Sequence, residues 1–122
     1  MQKKTFCNHN WEKINQLLEK KQFTQVIGEL KTIHVLDDLW LLVEAHIGLG
    51  DYDEVGDLIT SWKFRISNLI QESHFKYYEA IVLLNKNSIK EAQILLKDAL
   101  NIAISESDTY IKEKIETLMK NS

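Results

Sequence analysis

A chain of 122 residues has the length of one domain. Its 44% hydrophobic and 27% charged content is that of globular chains and excludes general disorder, and its net charge of −3 argues against a nucleic-acid-binding surface. A lone cysteine, Cys7, excludes an internal disulfide framework, and no apolar run is longer than that of Leu39 to Val43, far too short for a membrane helix. Residues Met1 to Asn8 carry no apolar stretch behind Lys3 and Lys4, so no signal peptide is expected and the chain reads as cytoplasmic. With no proline and only four glycines, the punctuation suits short helices in series rather than a turn-rich all-β fold.

In chain order, the first helical pattern carries Trp11, Ile14, Leu17 and Leu18. A second follows with Phe23, Val26, Leu30 and Ile33 at i, i+3, i+7 and i+10, one stripe of an α-helix. The stretch from Leu39 to Leu49 is apolar on nearly all sides, as in a helix buried all round. It runs into Gly48-Leu49-Gly50-Asp51, where glycine can adopt the positive φ that ends a helix. Asp51-Tyr52-Asp53-Glu54 then opens a helix with the stripe Tyr52, Val55, Ile59 and Trp62; acids there suit the helix dipole. An extension between Trp62 and Ser73 is assigned to a lengthened helix or an added turn. Tyr77 to Leu84 forms another largely apolar helix. Ser88-Ile89-Lys90-Glu91 has the form of a capping box, leading the stripe Ile89, Ala92, Leu96 and Ala99. Residues 107–120 carry Ile111, Ile115, Leu118 and Met119 on one face and charges on the others.

Three segments, Trp11–Ile33, Trp40–Trp62 and Tyr77–Ala99, align without gaps at offsets of 29 and 37 residues. Leu39 to His46 followed by Gly50 to Val55, then Ala80, Asn87 to Ala92 and Leu96 to Leu100, and in the first segment Trp11, Ile14, Phe23, Val26 and Leu30, resemble the tetratricopeptide repeat. The resemblance covers roughly residues 8 to 100. It implies an all-α, right-handed stack of about three helix-turn-helix hairpins (8–34, 37–66 and 73–104). The helix at 107–120 closes the stack as a cap, all within one domain spanning 1–122. The proline that commonly closes such a repeat is absent, and Lys13, Lys76 and Glu79 stand where the family is usually apolar.

In such a stack the first helix of each pair lines a concave groove. The resemblance then places Trp11, Glu12, Asn15 and Glu19 in the groove, with Trp40, Leu41, Glu44 and Gly48, and Tyr77, Tyr78, Ile81 and Asn85. One turn earlier come Asn8, Asp37 and His74. Partner-binding residues are therefore expected among Trp11, Glu12, Asn15, Asp37, Trp40, Leu41, Glu44, His74, Tyr77, Tyr78 and Ile81. An aromatic at the same place in every segment would form a ladder of hot-spot contacts. The alternative is that these rings pack between helices, since a shift of one residue would bury them. Seven acids and no lysine or arginine lie between Asp37 and Asp57, a charge that attracts a basic or amphipathic segment, although four of these acids also cap or lead helices. Carboxylate-clamp members of the family use lysines and asparagines in the groove. Here only Asn15 fits that pattern and Glu12, Glu19 and Glu44 oppose it.

Catalytic and metal signals are weak. Cys7 and His9 lie close together with no partner carboxylate near them, and no two histidines share an i, i+4 spacing. His46 reads as a satisfied core histidine. Trp62-Lys63-Phe64-Arg65 interleaves basic and aromatic residues but is too short to argue for nucleic acid. The expected function is an adaptor that binds a protein or peptide segment, with no enzyme activity, cofactor, metal, nucleic acid or membrane. Two alternatives are kept. One is a peptide-sensing regulatory module similar to the repeat domains of Gram-positive pheromone receptors, without their DNA-binding part. The other is a self-assembling homodimer.

Overall fold

The computed structural model describes residues 10–32 and 36–121. Along them run α1 (Trp11–Glu19), α2 (Phe23–Glu29), α3 (Leu36–Gly48), α4 (Tyr52–Trp62), α5 (Leu69–Asn85), α6 (Ile89–Ser105) and α7 (Thr109–Lys120). No strand occurs among the described residues, and the chain is all-α. The extension after Trp62 contains both devices expected of it: a single 3-10 turn, Lys63–Arg65, and an α5 that begins well ahead of Tyr77.

By its contacts the chain divides into two compact bodies, Met1–Val55 and Gly56–Ser122, the division falling inside α4. In the first body α1 and α2 pack on each other and both pack on α3. Ile14, Val26, Leu30, Leu39, Val43 and Ala45 are buried there. Ile14, Val26 and Leu30 are stripe positions of the sequence and the others belong to its all-round apolar stretch; each large aliphatic contributes about 1.5–3 kcal/mol by leaving water. The ring of Phe23 lies so close to Gly48 that a Cβ on that glycine would overlap it. In the second body α5 and α6 pack along each other, and α7 lies against both. Phe75, Tyr78, Ala92, Leu96, Ala99, Ala103, Ile111 and Ile115 form its interior. The small residues Ala92, Ala99 and Ala103 recur on one side of α6 and let the neighbouring helices come close. The α7 stripe is buried at Ile111 and Ile115, whereas Met119 at its far end is 36% exposed.

One turn recurs four times. Lys21, Gly50, Asn87 and Ser107 all have positive φ, at 59°, 76°, 64° and 58°. After each, the next residue's N–H donates to the carbonyl five positions back: Gln22 to Leu17, Asp51 to His46, Ser88 to Leu83 and Asp108 to Ala103, all at 2.9 Å. The left-handed residue's own N–H reaches three positions back, at 2.9–3.2 Å. This is the Schellman ending, which satisfies carbonyls that a helix terminus would otherwise leave unpaired. In every case the next helix begins two residues later. Sequence reasoning expected a positive φ only in the Gly48–Asp51 turn, at one of its two glycines. The fourth copy joins α6 to α7, beyond the three aligned segments.

Helix starts are capped by side chains at Asn10, Asn68 and Asp108, which accept from the N–H of Lys13, Gln71 and Ile111 at 3.1, 2.8 and 3.3 Å. Asp51 accepts from Glu54 N–H at 3.4 Å, as its position implied. The capping box expected at Ser88 does not form: its side chain makes no capping hydrogen bond. The reciprocal half of the box is closed as well. The Ser88 N–H that Glu91 would have to reach already donates to Leu83.

The charged departures from the repeat pattern each join neighbouring elements within one body. Lys13 pairs with Glu29 at 3.0 Å, joining α1 to α2. Glu79 receives Lys63 at 2.9 Å, and Lys76 lies 3.7 Å from Glu72 and 4.0 Å from Asp98 on α6. Such partly exposed pairs contribute at most about 1 kcal/mol each, so they orient helices more than they stabilise them.

Candidate functional site

The expected groove residues fall into three different environments, one per helix. On α1, Trp11, Glu12, Asn15 and Glu19 share one face and all are exposed, Trp11 to 37%. The Trp11 indole Nε1–H donates to Asp38 Oδ1 at 2.8 Å. Asp38 is fully buried, so this bond ties the start of α1 to the first turn of α3. Asn15 Nδ2 donates to the Trp11 carbonyl at 2.9 Å, holding that amide on the helix surface.

On α3 the buried residues are Asp38, Leu39, Leu42, Val43 and Ala45. At 100° per residue they occupy one arc of the helix, and Asp37, Trp40, Leu41, Glu44 and Gly48 occupy the other. Asp37 and Gly48 are exposed, while Trp40, Leu41 and Glu44 are half-buried. Two apolar side chains therefore lie between two carboxylates along a single helical face.

On α5 the expectation is overturned. His74, Tyr77 and Tyr78 are 9%, 7% and 1% exposed, so they belong to the interior of the second body and do not line an open groove. Ile81 is half-buried and Asn85 exposed. The cause is α7. Its Tyr110 stacks on His74, with ring centroids 6.4 Å apart, and its Lys114 ammonium lies 5.9 Å from the Tyr77 ring and 5.3 Å from the Tyr110 ring. Tyr77 and Tyr78 meet edge to face at 4.9 Å. His74 Nδ1 is 2.9 Å from the Ile70 carbonyl, an arrangement that places the proton on that nitrogen. The three aromatic landmarks are therefore not equivalent: Trp11 is exposed, Trp40 half-buried and Tyr77 buried.

His46 also differs from expectation. It is half-buried, but its Nδ1 is enclosed without a hydrogen-bond partner, and Asp51 Oδ2 lies 3.7 Å away. In the Trp62–Arg65 stretch both cations are engaged. The Arg65 guanidinium lies 4.8 Å over the Trp62 ring and 5.9 Å from the Phe64 ring, and Lys63 is held by Glu79. Phe64 itself is 79% exposed. A small pocket of about 170 Å³ is lined by Gln93, Leu96 and Lys97 of α6 and Met119 of α7. Asn8, Cys7, His9 and Ile33 lie outside the described residues.

Sequence reasoning missed Asp38, Tyr110 and Lys114. An acid inside the apolar α3 pattern is the one available signal for Asp38, but its indole partner is 27 positions away. Among the described residues no three His, Cys, Asp or Glu side chains are placed to hold a metal ion, and no helix is long and apolar enough to cross a membrane. The chain has no significant match among family models, curated proteins or solved structures.

Proposed function

We propose that this chain is a protein-interaction module that takes a basic or amphipathic segment along the faces of α1 and α3, and that it has no catalytic activity. The observation that carries the reading is the α3 face. Asp37, Trp40, Leu41 and Glu44 lie together on one arc, opposite the arc that holds the core. Trp11, Glu12 and Asn15 extend the candidate surface on α1, pinned beside α3 by the indole–carboxylate bond. An apolar strip between carboxylates suits a segment with lysines or arginines flanking a hydrophobic side chain. The tetratricopeptide-like repeat remains the reading of the architecture, supported by the burial of Val26 and Leu30, Val55 and Ile59, and Ala92 and Leu96 within the three stripes and by the recurrent left-handed turn. A cytoplasmic setting is proposed on the strength of the single cysteine.

An array of basic amphipathic peptides, probed with the wild-type chain, Glu44→Lys and Trp40→Ala, tests this. Peptides that bind the wild type are expected to bind Glu44→Lys weakly, chiefly through slower association. Trp40→Ala should lose about 2 kcal/mol of binding if the ring is an anchor. Unchanged binding by both variants removes the α3 face from consideration.

A further inference from the structure

We propose that α6 and α7 of the second body form a docking surface for an acidic amphipathic helix, one large apolar side chain of which enters the pocket between them. This goes beyond the reading of the α1 and α3 faces, since it concerns the other body and a partner of the opposite charge. Three observations carry it. The first is the pocket, lined by Gln93, Leu96 and Lys97 of α6 and Met119 of α7, with a volume of about 170 Å³. A cavity of about 150 Å³ accepts a benzene ring. This one therefore takes a single phenylalanine or leucine side chain and is too small for a drug-sized ligand, which needs about 300 Å³ or more. The second is the outer arc of α6. At 100° per residue, Lys90, Gln93, Ile94, Lys97, Asn101 and Ile104 share the side of the helix beside the pocket. All six are exposed, the two isoleucines to 62% and 54%. Those isoleucines stand about 15 Å apart along the axis, the span of about three turns of a partner helix. Apolar anchors on such a helix recur at i, i+3 or i+4 and i+7. The third is charge. The arc holds two lysines and no acid. Among the described residues neither lysine has a carboxylate partner. Glu91 and Asp98 lie on another side of α6, Asp98 at 4.0 Å from Lys76 of α5. Glu116, one turn before Met119, is engaged by Lys112 at 3.1 Å. Apolar side chains among uncompensated positive charges attract an acidic segment and repel a basic one. A flat bilayer would leave the pocket unfilled, so the concavity favours a peptide over a lipid surface.

Amide and methyl resonances of the full-length chain, titrated with three synthetic peptides, test this. The first is a helical peptide about four turns long with glutamates around a central phenylalanine. In the second, alanine replaces that phenylalanine; in the third, lysine replaces every glutamate. The first peptide is expected to shift the Met119 methyl and the amides of residues 93–97, and to bind at least about tenfold tighter than the second. Lys90→Glu/Lys97→Glu should lose about tenfold in affinity for the first peptide and gain affinity for the third, a reversal that a folding defect cannot produce. No shift at these residues, equal affinity for the first two peptides, or indifference to charge reversal overturns the proposal. Movement of the same resonances with phosphatidylserine–phosphatidylcholine vesicles but not with peptide makes the surface a lipid contact and overturns it too. Shifts of Met119 and residues 93–97 on raising the chain's own concentration, with no peptide present, give the face to a second copy and equally overturn it.

Discussion

Gly50 and Lys21 occupy the same left-handed position in the same hydrogen-bonded turn, and they respond to substitution in opposite directions. Gly50 has φ +76° and nothing within 4 Å of where a Cβ would be, so Gly50→Ala adds only the backbone penalty. A loss of about 1 kcal/mol is expected. Lys21 already bears that penalty at φ 59°. Lys21→Gly should therefore raise stability by up to about 1 kcal/mol, less the entropy that glycine adds to the unfolded chain. Urea titration of the pair checks this; two shifts of the same sign would show that the turn conformation is not what distinguishes them. The same positions mark where the sequence was mute. A penalty this small is readily absorbed, so lysine, asparagine and serine stand at three of the four turns and only Gly50 announced itself. The Trp11–Asp38 pairing was hidden for a different reason. A bond between residues 27 apart depends on how α1 and α3 cross, which no local pattern encodes.

Among the helices, periodicity was the readable quantity. Val26, Val55 and Ala92, and likewise Leu30, Ile59 and Leu96, are buried because a helix that hides one side must repeat apolar residues every three or four positions. Which further face is covered was not readable. The α5 positions His74, Tyr77 and Tyr78 have the spacing of a groove face, and the placement of α7 covers His74 and Tyr77. Capping shows the same division. Asn68 accepts a backbone hydrogen bond at 2.8 Å, so Asn68→Ala should lose about 1 kcal/mol. Ser88 makes no such bond despite its favourable sequence, and Ser88→Ala should change stability by less than about 0.5 kcal/mol. Thermal melts of the two variants decide the matter: equal losses would mean that Ser88 caps α6 after all.

For the molecule as a whole, the two compact bodies differ in the length of their helices. α1 and α2 have 9 and 7 residues, and α5 and α6 have 17 each. Short helices have few amides beyond their frayed ends and depend almost wholly on packing. Native-state hydrogen exchange should therefore find the slowest amides in the middle of α5 and α6 and fast exchange throughout α2. Protection in α2 equal to that in α5 would contradict this. Another consequence belongs to the stretch between α4 and α5. The turns holding Lys20, Lys21 and Lys86 are locked by paired backbone bonds. Lys63–Asn68 has a single 3-10 turn and side-chain bonds at Lys63, Ser67 and Asn68, but no paired backbone bonds of that kind, and Phe64 projects into solvent. A protease needs several residues of chain that can be drawn out straight, and this stretch supplies them. Limited trypsin digestion should cut after Arg65 before it cuts after Lys20, Lys21 or Lys86. The same bond is then the natural place to splice in a tag or a reporter domain without opening either helix beside it.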